Sequence, residues 1–299
     1  MKISVTHKHN RITGVSTFLA ILIKGLSELG HDVRFTHENL ESPDLSYLLS
    51  ISPYCTIHTY QNLPNDNDII FFNYSSQVSH FFNYHGSKRF IVHGTMESFY
   101  APPQIGLDKV FCLSERSYEL TITPFHKILI RNFIDTEKFK PSSKLNANLN
   151  KILLVDYRNV LYYKNLITNL SNELKIPITI ISEQNQSAIP QSEMPNLYNL
   201  YDLVIGYGRV IYEAMACGRA CLVYGINGGD GYLNKDNFKD LLYRNCSGWQ
   251  LRKLSPPIDG LSLENFTNEI QQYNSLDGQS NRELSLELDY RKYLPILIS

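Results

Sequence analysis

The stretch DLVIGYGRVIYEAMACGRACLVYG, Asp202–Gly225, constrains the fold more than any other part of the 299-residue chain. An apolar run ends at a glycine pair, Gly206 and Gly208, a helical pattern follows over Arg209–Cys217, and a second apolar run, ACLVYG, comes directly after it. Short, continuous apolar runs are the strands of a sheet covered on both faces. A strand, helix and strand joined this closely belong to a parallel, helix-covered sheet. Glycine at the strand end lets backbone approach a ligand, and the N–H groups of a first helical turn attract anions, so a diphosphate suits the junction. Glu213, one turn into the helix, is placed to accept hydrogen bonds from ribose hydroxyls, as an acidic residue does in other nucleotide sites. Arg209 and Glu213, at i and i+4, have a second reading as a surface helix pair in the weaker orientation, worth about 0.2–0.5 kcal/mol.

The same alternation runs through the rest of the chain. KISVT reads as a strand, HKHNRITG as a polar loop ending in Gly14, and Val15, Phe18, Leu19, Leu22, Ile23, Leu26 and Leu29 recur at helical spacing, which predicts one buried helix face. Gly30 stops that helix and HDVRFT follows as a strand, with further strand candidates at Asp68–Asn73, Lys88–His93, Lys109–Leu113 and Lys127–Arg131. The polar, asparagine-rich segment Asn132–Asn150, with Pro141, reads as a linker. A second series follows: strand KILLVD, a helix from about Tyr163 to Leu174, strand PITIIS, a short helix around Leu197–Tyr201, and then the Asp202–Gly225 unit. The expected fold class is α/β, with two Rossmann-like domains whose parallel sheets face each other across a cleft and bind ligands at their carboxyl ends. The expected division is an acceptor-side domain at 1–135, a linker at 136–150 and a donor-binding domain at 151–299, its last helix packing back on the first domain.

Composition narrows the function classes. With 28 Lys+Arg against 29 Asp+Glu, a net charge of -1, attachment to nucleic acid or membrane by bulk positive charge is excluded, and 43% hydrophobic residues argue against disorder. The apolar stretch Ile3–Thr6 runs into His7, Lys8, His9, Asn10 and Arg11, and Phe18–Ile23 is stopped by Lys24, so a soluble, cytoplasmic protein without a transmembrane segment is expected. The five cysteines have no metal-ligand spacing and His7-x-His9 lacks a third ligand, so no metal site is expected. GINGGDGYL sets Asp230 among glycines, either as a plain turn or as a wall of the cleft approaching nucleotide or sugar. The aromatic run Phe71–His85 reads as core and surface aromatics or as the lining of an acceptor groove.

GYGRVIYEAMACGRA, from Gly206 onward, resembles the donor-binding segment of GT-B glycosyltransferases, in particular the retaining family 4, with its pattern E-G-F-G-x-x-x-x-E-A-M-A-C-G-x-P. The resemblance puts Glu213 on the second glutamate of the family's E-x7-E motif, which implies a role in holding the nucleotide ribose. Ile205 occupies the place of the first glutamate, which in the family contacts the donor sugar. The segment Gly206, Tyr207, Gly208 and Arg209 would line the donor site. KILLVDYRNVLYYKN offers Arg158 and Lys164 where the family carries two cations on the donor diphosphate, and such preorganised charges stabilise a leaving group as negative charge grows on it.

Gly14 matches the family's glycine loop near the reacting phosphate, with an ordinary loop glycine as the other reading. His93, ending RFIVH, falls where relatives place a histidine on the donor sugar, and otherwise reads as structural. IRNFIDTEKFKP is similar to the family's N-G-V-D-x-x-x-F-x-P hinge element, with Phe133 replacing glycine. The implied activity is retaining transfer of a sugar from a UDP- or GDP-sugar to a glycan or lipid-linked acceptor in surface-glycan assembly. No metal or cofactor, no nucleic-acid partner and at most peripheral contact with the inner face of a membrane are expected. An inverting enzyme would need a general base, for which His93 and Glu97 are the candidates. Two other readings stand beside this one: a nucleotide-sugar-binding protein made inactive by Ile205, and a GT-B fold sugar-nucleotide epimerase.

Overall fold

The computed structural model describes residues 1–8, 13–39, 45–94, 101–155, 160–182, 189–225, 228–248 and 263–299, without the side chains of 45, 46, 160–166 and 263. The chain forms two units, Met1–Phe133 with Tyr290–Ser299, and Ile134–Asp289.

The first unit runs β1 (Lys2–His7), α1 (Gly14–Glu28), β2 (Asp32–His37), α2 (Leu45–Ile51), β3 (Thr56–Thr59), β4 (Ile69–Phe72), α3 (Ser75–His80), β5 (Ser87–Val92), β6 (Lys109–Cys112), α4 (Glu115–Leu120) and β7 (His126–Leu129). Its strands form one parallel seven-stranded sheet in the order β3-β2-β1-β4-β5-β6-β7. The order reverses between β1 and β4, which makes the carboxyl ends of those two strands the crevice of this sheet. Helix α1 buries Val15, Phe18, Leu19, Leu22, Ile23 and Leu26 as the spacing predicts. Leu29 differs: it caps the helix and is exposed, because the chain turns at Gly30 before the helical period returns to the core.

The aromatic run Phe71–His85 divides between core and surface, with Phe82 exposed. Strand side chains alternate between faces, so Phe71 enters the cluster under α1 while Phe72 enters the opposite cluster with Phe81, and Tyr74 is buried as well. Phe133 packs at 4.3 Å from Phe18, and the terminal helix of the chain (Leu294–Ile298) adds Leu294 and Leu297 to the same core. The buried Arg89 guanidinium donates to the carbonyls of Leu297 and Ser299, satisfying C-terminal groups that would otherwise lack partners.

The second unit runs β8 (Ile152–Val155), α5 (Val160–Leu174), β9 (Ile178–Ile181), α6 (Met194–Tyr198), β10 (Leu203–Gly206), α7 (Arg209–Ala216), β11 (Ala220–Gly225), β12 (Gly228–Tyr232), α8 (Phe238–Tyr243), α9 (Leu263–Gln271) and α10 (Asp277–Ser285). Its sheet order is β12-β11-β10-β8-β9. The sheet is parallel except at one edge, where β12 pairs antiparallel with β11, so the glycine-rich segment around Asp230 is an edge strand in place of a turn. The reversal of strand order falls between β8 and β10, with Ile205 in register with Leu154. The crevice of this sheet is therefore flanked by the end of β8 and by Gly206.

The asparagine-rich segment is packed within this unit. The buried carboxylate of Asp202 accepts from the backbone and side-chain nitrogens of Asn146 and from the backbone of Asn150 and Lys151, at 2.8–3.3 Å. Arg219, also buried, donates to the carbonyls of Ser143, Tyr201 and Cys217. Polar residues are needed here because each buried backbone group requires a partner. Replacing Asp202 by alanine is expected to destabilise the second unit by at least about 1.5–3 kcal/mol, the worth of a hydrogen bond to a charged group, read as a lower denaturant midpoint. An unchanged midpoint would refute that role.

Candidate functional site

The site is built on the reversal from β10 into α7. Strand β10 is buried on both faces between β8 and β11, and at its end a Cβ on Gly206 would lie 2.5 Å from Val210 Cγ1, so the helix can fold back directly on the strand only if that residue is glycine. Gly208 is the N-cap of α7, with φ 58° and ψ -126°, a conformation open to glycine alone. Its N–H donates to the carbonyl of Cys246 at 2.7 Å, and among the described residues no side chain caps the helix. Among the described residues, no atom lies within 4 Å of where a Cβ at Gly208 would stand. A helix start of this kind presents N–H groups that attract an anion.

One turn on, Arg209 and Glu213 form an ion pair at 3.4 Å with both side chains buried, which discards the surface-pair reading. Glu213 Oε1 also accepts from Gln191 Nε2 at 3.2 Å, and Oε2 accepts from the hydroxyl of buried Tyr198 at 3.3 Å. Burial pushes the Glu213 carboxyl above its ordinary range, opposed first by Arg209 and then by Lys138, and burial pulls the Arg209 guanidinium down. All three contacts are long for hydrogen bonds to a carboxylate. Of these partners the Gln191 amide is half-buried, whereas Tyr198 is wholly buried. Gln191, Tyr198 and Lys138 carry no motif of their own, and nothing local in the sequence points from them to Glu213.

A second loop supports the junction from behind. Asn245 and Cys246 both have positive φ, 59° and 48°, and are held there by backbone bonds to Leu242 and Leu241. Tyr212 donates to the Asn245 side chain at 3.1 Å, and the buried carboxylate of Asp230 accepts from the Gly248 N–H at 3.0 Å with Arg244 at 3.8 Å. Asp230 is thus joined to Gly208 through this loop. Tyr207 is half-buried, its ring against Gly225. Arg158 and Glu97 lie outside the described residues, and Lys164 sits in α5 at a position whose side chain is not described.

Gly14 and His93 belong to the first unit. Gly14 opens α1, but there the cap is occupied: Thr13 Oγ1 accepts from Ser16 N–H and Ser16 Oγ accepts from Thr13 N–H, a reciprocal box. His93 follows β5, is partly exposed, lies edge-on to Phe18 at 5.1 Å and is 2.7 Å through Nε2 from Asn73 Oδ1. No cluster of His, Cys, Asp or Glu able to hold a metal occurs among the described residues, and no described helix is long and apolar enough to cross a membrane.

No protein-family model and no curated protein matches the chain in sequence. Solved structures do match its fold. An alpha-glucosyltransferase in complex with UDP and a 13-mer DNA aligns over 100% of both chains with 11% identity and a TM-score of 0.57. The spinosyn forosaminyltransferase SpnP aligns over 99% of this chain and 98% of its own, with 10% identity and a TM-score of 0.53. A glycosyltransferase involved in avilamycin A biosynthesis covers 99% and 96%, with 10% identity and a TM-score of 0.52. The fold is that of the GT-B glycosyltransferases.

The two glycines should fail in different ways. Gly206→Ala is expected to cost about 1–3 kcal/mol through overpacking, partly recovered by Val210→Ala in the same chain. Gly208→Ala is expected to cost about 1–3 kcal/mol of backbone strain that Val210→Ala does not recover. Chemical denaturation of the four variants decides, and equal recovery in both would contradict the geometry. The raised Glu213 carboxyl sets a sign as well: its contribution to stability is complete below the unfolded carboxylate pKa and is lost as pH rises through the folded value. Relative to wild type, Glu213→Gln should therefore gain stability as pH rises through that window, a trend that pH-dependent unfolding measures.

Proposed function

We propose that this chain transfers a glycosyl group from a nucleoside-diphosphate sugar to an acceptor hydroxyl. The observation that carries the reading is the uncapped helix start at Gly208, with Glu213 one turn behind it, in a chain whose fold matches GT-B glycosyltransferases over their whole length. In this reading the diphosphate sits at the α7 N-terminus and Glu213 accepts from the ribose hydroxyls. Arg158 and Lys164 stabilise the charge that grows on the leaving diphosphate. The likeness of GYGRVIYEAMACGRA to family 4 supports retention at the anomeric carbon, with the leaving diphosphate taking the acceptor proton. It also favours a UDP- or GDP-sugar donor, a glycan or lipid-linked acceptor and work at the cytoplasmic face of a membrane.

One observation favours a second reading, a nucleotide-sugar-binding protein without transfer activity. Ile205, in the place of the family's first glutamate, is wholly buried in the core with Leu203 and Leu222, where it cannot contact a donor sugar.

A thermal-shift panel of nucleoside diphosphates and their sugars, followed by donor consumption with and without glycan acceptors, separates these. Stabilisation by one nucleotide class with acceptor-dependent consumption is expected. Stabilisation without consumption selects the binding protein, and no stabilisation by any nucleotide sinks both. Glu213→Ala should weaken nucleotide binding about tenfold to a hundredfold, the worth of one hydrogen bond to a charged group, with Glu213→Gln as the variant that keeps the side chain's shape. Arg158→Ala and Lys164→Ala should lower the transfer rate, and unchanged kinetics in all of them would refute the assignment.

A further inference from the structure

The second unit has a cavity away from the crevice of its sheet. Strand β12 runs antiparallel to β11, so the chain that leaves it at Tyr232 heads for the amino-terminal ends of the parallel strands, away from Gly206. There the loop between β12 and α8 and the loop between α9 and α10 face each other across a cavity of about 400 Å³, within the ~300–1,000 Å³ of small-molecule sites. Its floor is Tyr232, 2% exposed, whose hydroxyl donates to Asp277 Oδ2 at 2.8 Å and accepts from the Asn274 N–H at 3.2 Å. Burial pushes that hydroxyl well above its ordinary pKa, so it remains a donor and ties β12 to the second loop.

Hydrogen bonds within the walls decide which atoms are left for a ligand. Asn234 accepts from the N–H groups of Asp236 and Asn237 at 2.9 and 3.1 Å, and Asn274 accepts from that of Leu276 at 3.0 Å. A backbone N–H only donates, so both side chains commit Oδ1 to the chain and leave Nδ2, a donor. Gln272 is the reverse: its Nε2 donates to the Glu269 carboxylate at 3.0 Å, which leaves Oε1, an acceptor. Asp277 Oδ1 and Ser280 Oγ also line the cavity without a partner among the described residues. The charged lining is Asp236 and Asp277 against Lys235, a balance that disfavours a phosphate, and no metal-holding cluster occurs among the described residues. Spare donors and acceptors side by side suit a neutral ligand whose every polar group can both donate and accept. Leu276, 72% exposed, adds an aliphatic surface for the C–H face of a sugar ring.

We propose that this cavity is a second saccharide site, which holds a neutral oligosaccharide apart from the donor crevice through Asn234, Asn274, Gln272, Asp277 and Ser280. A sugar hydroxyl donates one hydrogen bond and accepts others, so vicinal hydroxyls match a carboxylate beside an amide. Recognition of the sugar stands on this lining alone. That the bound chain is also the enzyme's acceptor or product rests on the glycosyl-transfer reading.

The test is an NMR titration of the intact chain, without nucleotide, with neutral oligosaccharides of glucose, galactose, mannose and N-acetylglucosamine. Saturable binding of at least one of them, with a Kd of about 1 mM, is expected to move the Asn234 and Asn274 side-chain amide signals. Asp277→Asn keeps an oxygen for the Tyr232 hydroxyl but puts a donor in place of the spare acceptor. It should weaken binding about two- to tenfold, as should Ser280→Ala, the worth of one hydrogen bond. Neither variant should change the thermal shift produced by a nucleotide. No binding by any of the oligosaccharides overturns the proposal, and so does binding that neither variant weakens, which would put the sugar elsewhere on the chain. Movement of the same signals by inorganic phosphate or calcium, with none by a saccharide, overturns it as well and assigns the cavity to an ion. If Asp277→Asn does not fold, Ser280→Ala and Lys235→Ala decide. Saccharide binding in a protein that no nucleotide stabilises refutes the transfer reading and leaves this site in place.

Discussion

Helix α7 is buried along nearly its whole length, and a buried helix must find partners for the backbone groups left unmatched at each end. At its C-terminus the partners come from the protein. Arg219 Nε donates to the Cys217 carbonyl at 2.9 Å and Arg282 Nη1 donates to that of Ala216 at 3.1 Å, placing two cations at the negative end of the helix. Arg282 also donates to the carbonyls of Thr136 and Phe139, and Arg219 to that of Ser143, so the same two side chains fasten the polar segment before β8. At the N-terminus the cap is Gly208, and among the described residues no side chain closes it. The start of α1 differs, being closed by Thr13 and Ser16.

The Arg209–Glu213 pair fits this asymmetry. Taking two charges out of water costs more than a single 3.4 Å contact restores, so such a pair is weak evidence for stability. The long bonds from Gln191 and Tyr198 leave the carboxylate with loosely held partners. Local strain behind the site has the same character: two consecutive non-glycine residues, Asn245 and Cys246, hold left-handed backbone so that the Cys246 carbonyl reaches the Gly208 N–H.

Much of the frame was legible because its signals are local. The apolar runs KILLV and DLVIG, the glycines that follow the second and the helical spacing of α1 each depend on residues within a few positions of one another. The aromatic run Phe71–His85 left two readings open because composition does not say which way a side chain points, and alternation about β4 sends Phe71 and Phe72 into two different cores. Leu29 kept the helical period after the helix had ended. The antiparallel β12 was hidden because its pairing with β11 is a choice of direction that a glycine-rich sequence does not encode.

The sequence by itself determined the alternation of the main parallel strands with helices, the placing of Gly206 and Gly208 where a strand must turn into a helix, and the near-neutral charge that excludes bulk electrostatic binding. Tertiary structure alone decided the partners. Glu213 meets Tyr198 and Gln191 from 15 and 22 residues away, and His93 meets Asn73 from 20, because parallel strands bring their carboxyl ends together while the intervening helices carry the chain back. Hydrogen bonds reach only about 3 Å, so which donor meets which acceptor is settled by sheet order and register, quantities that no short stretch of sequence contains.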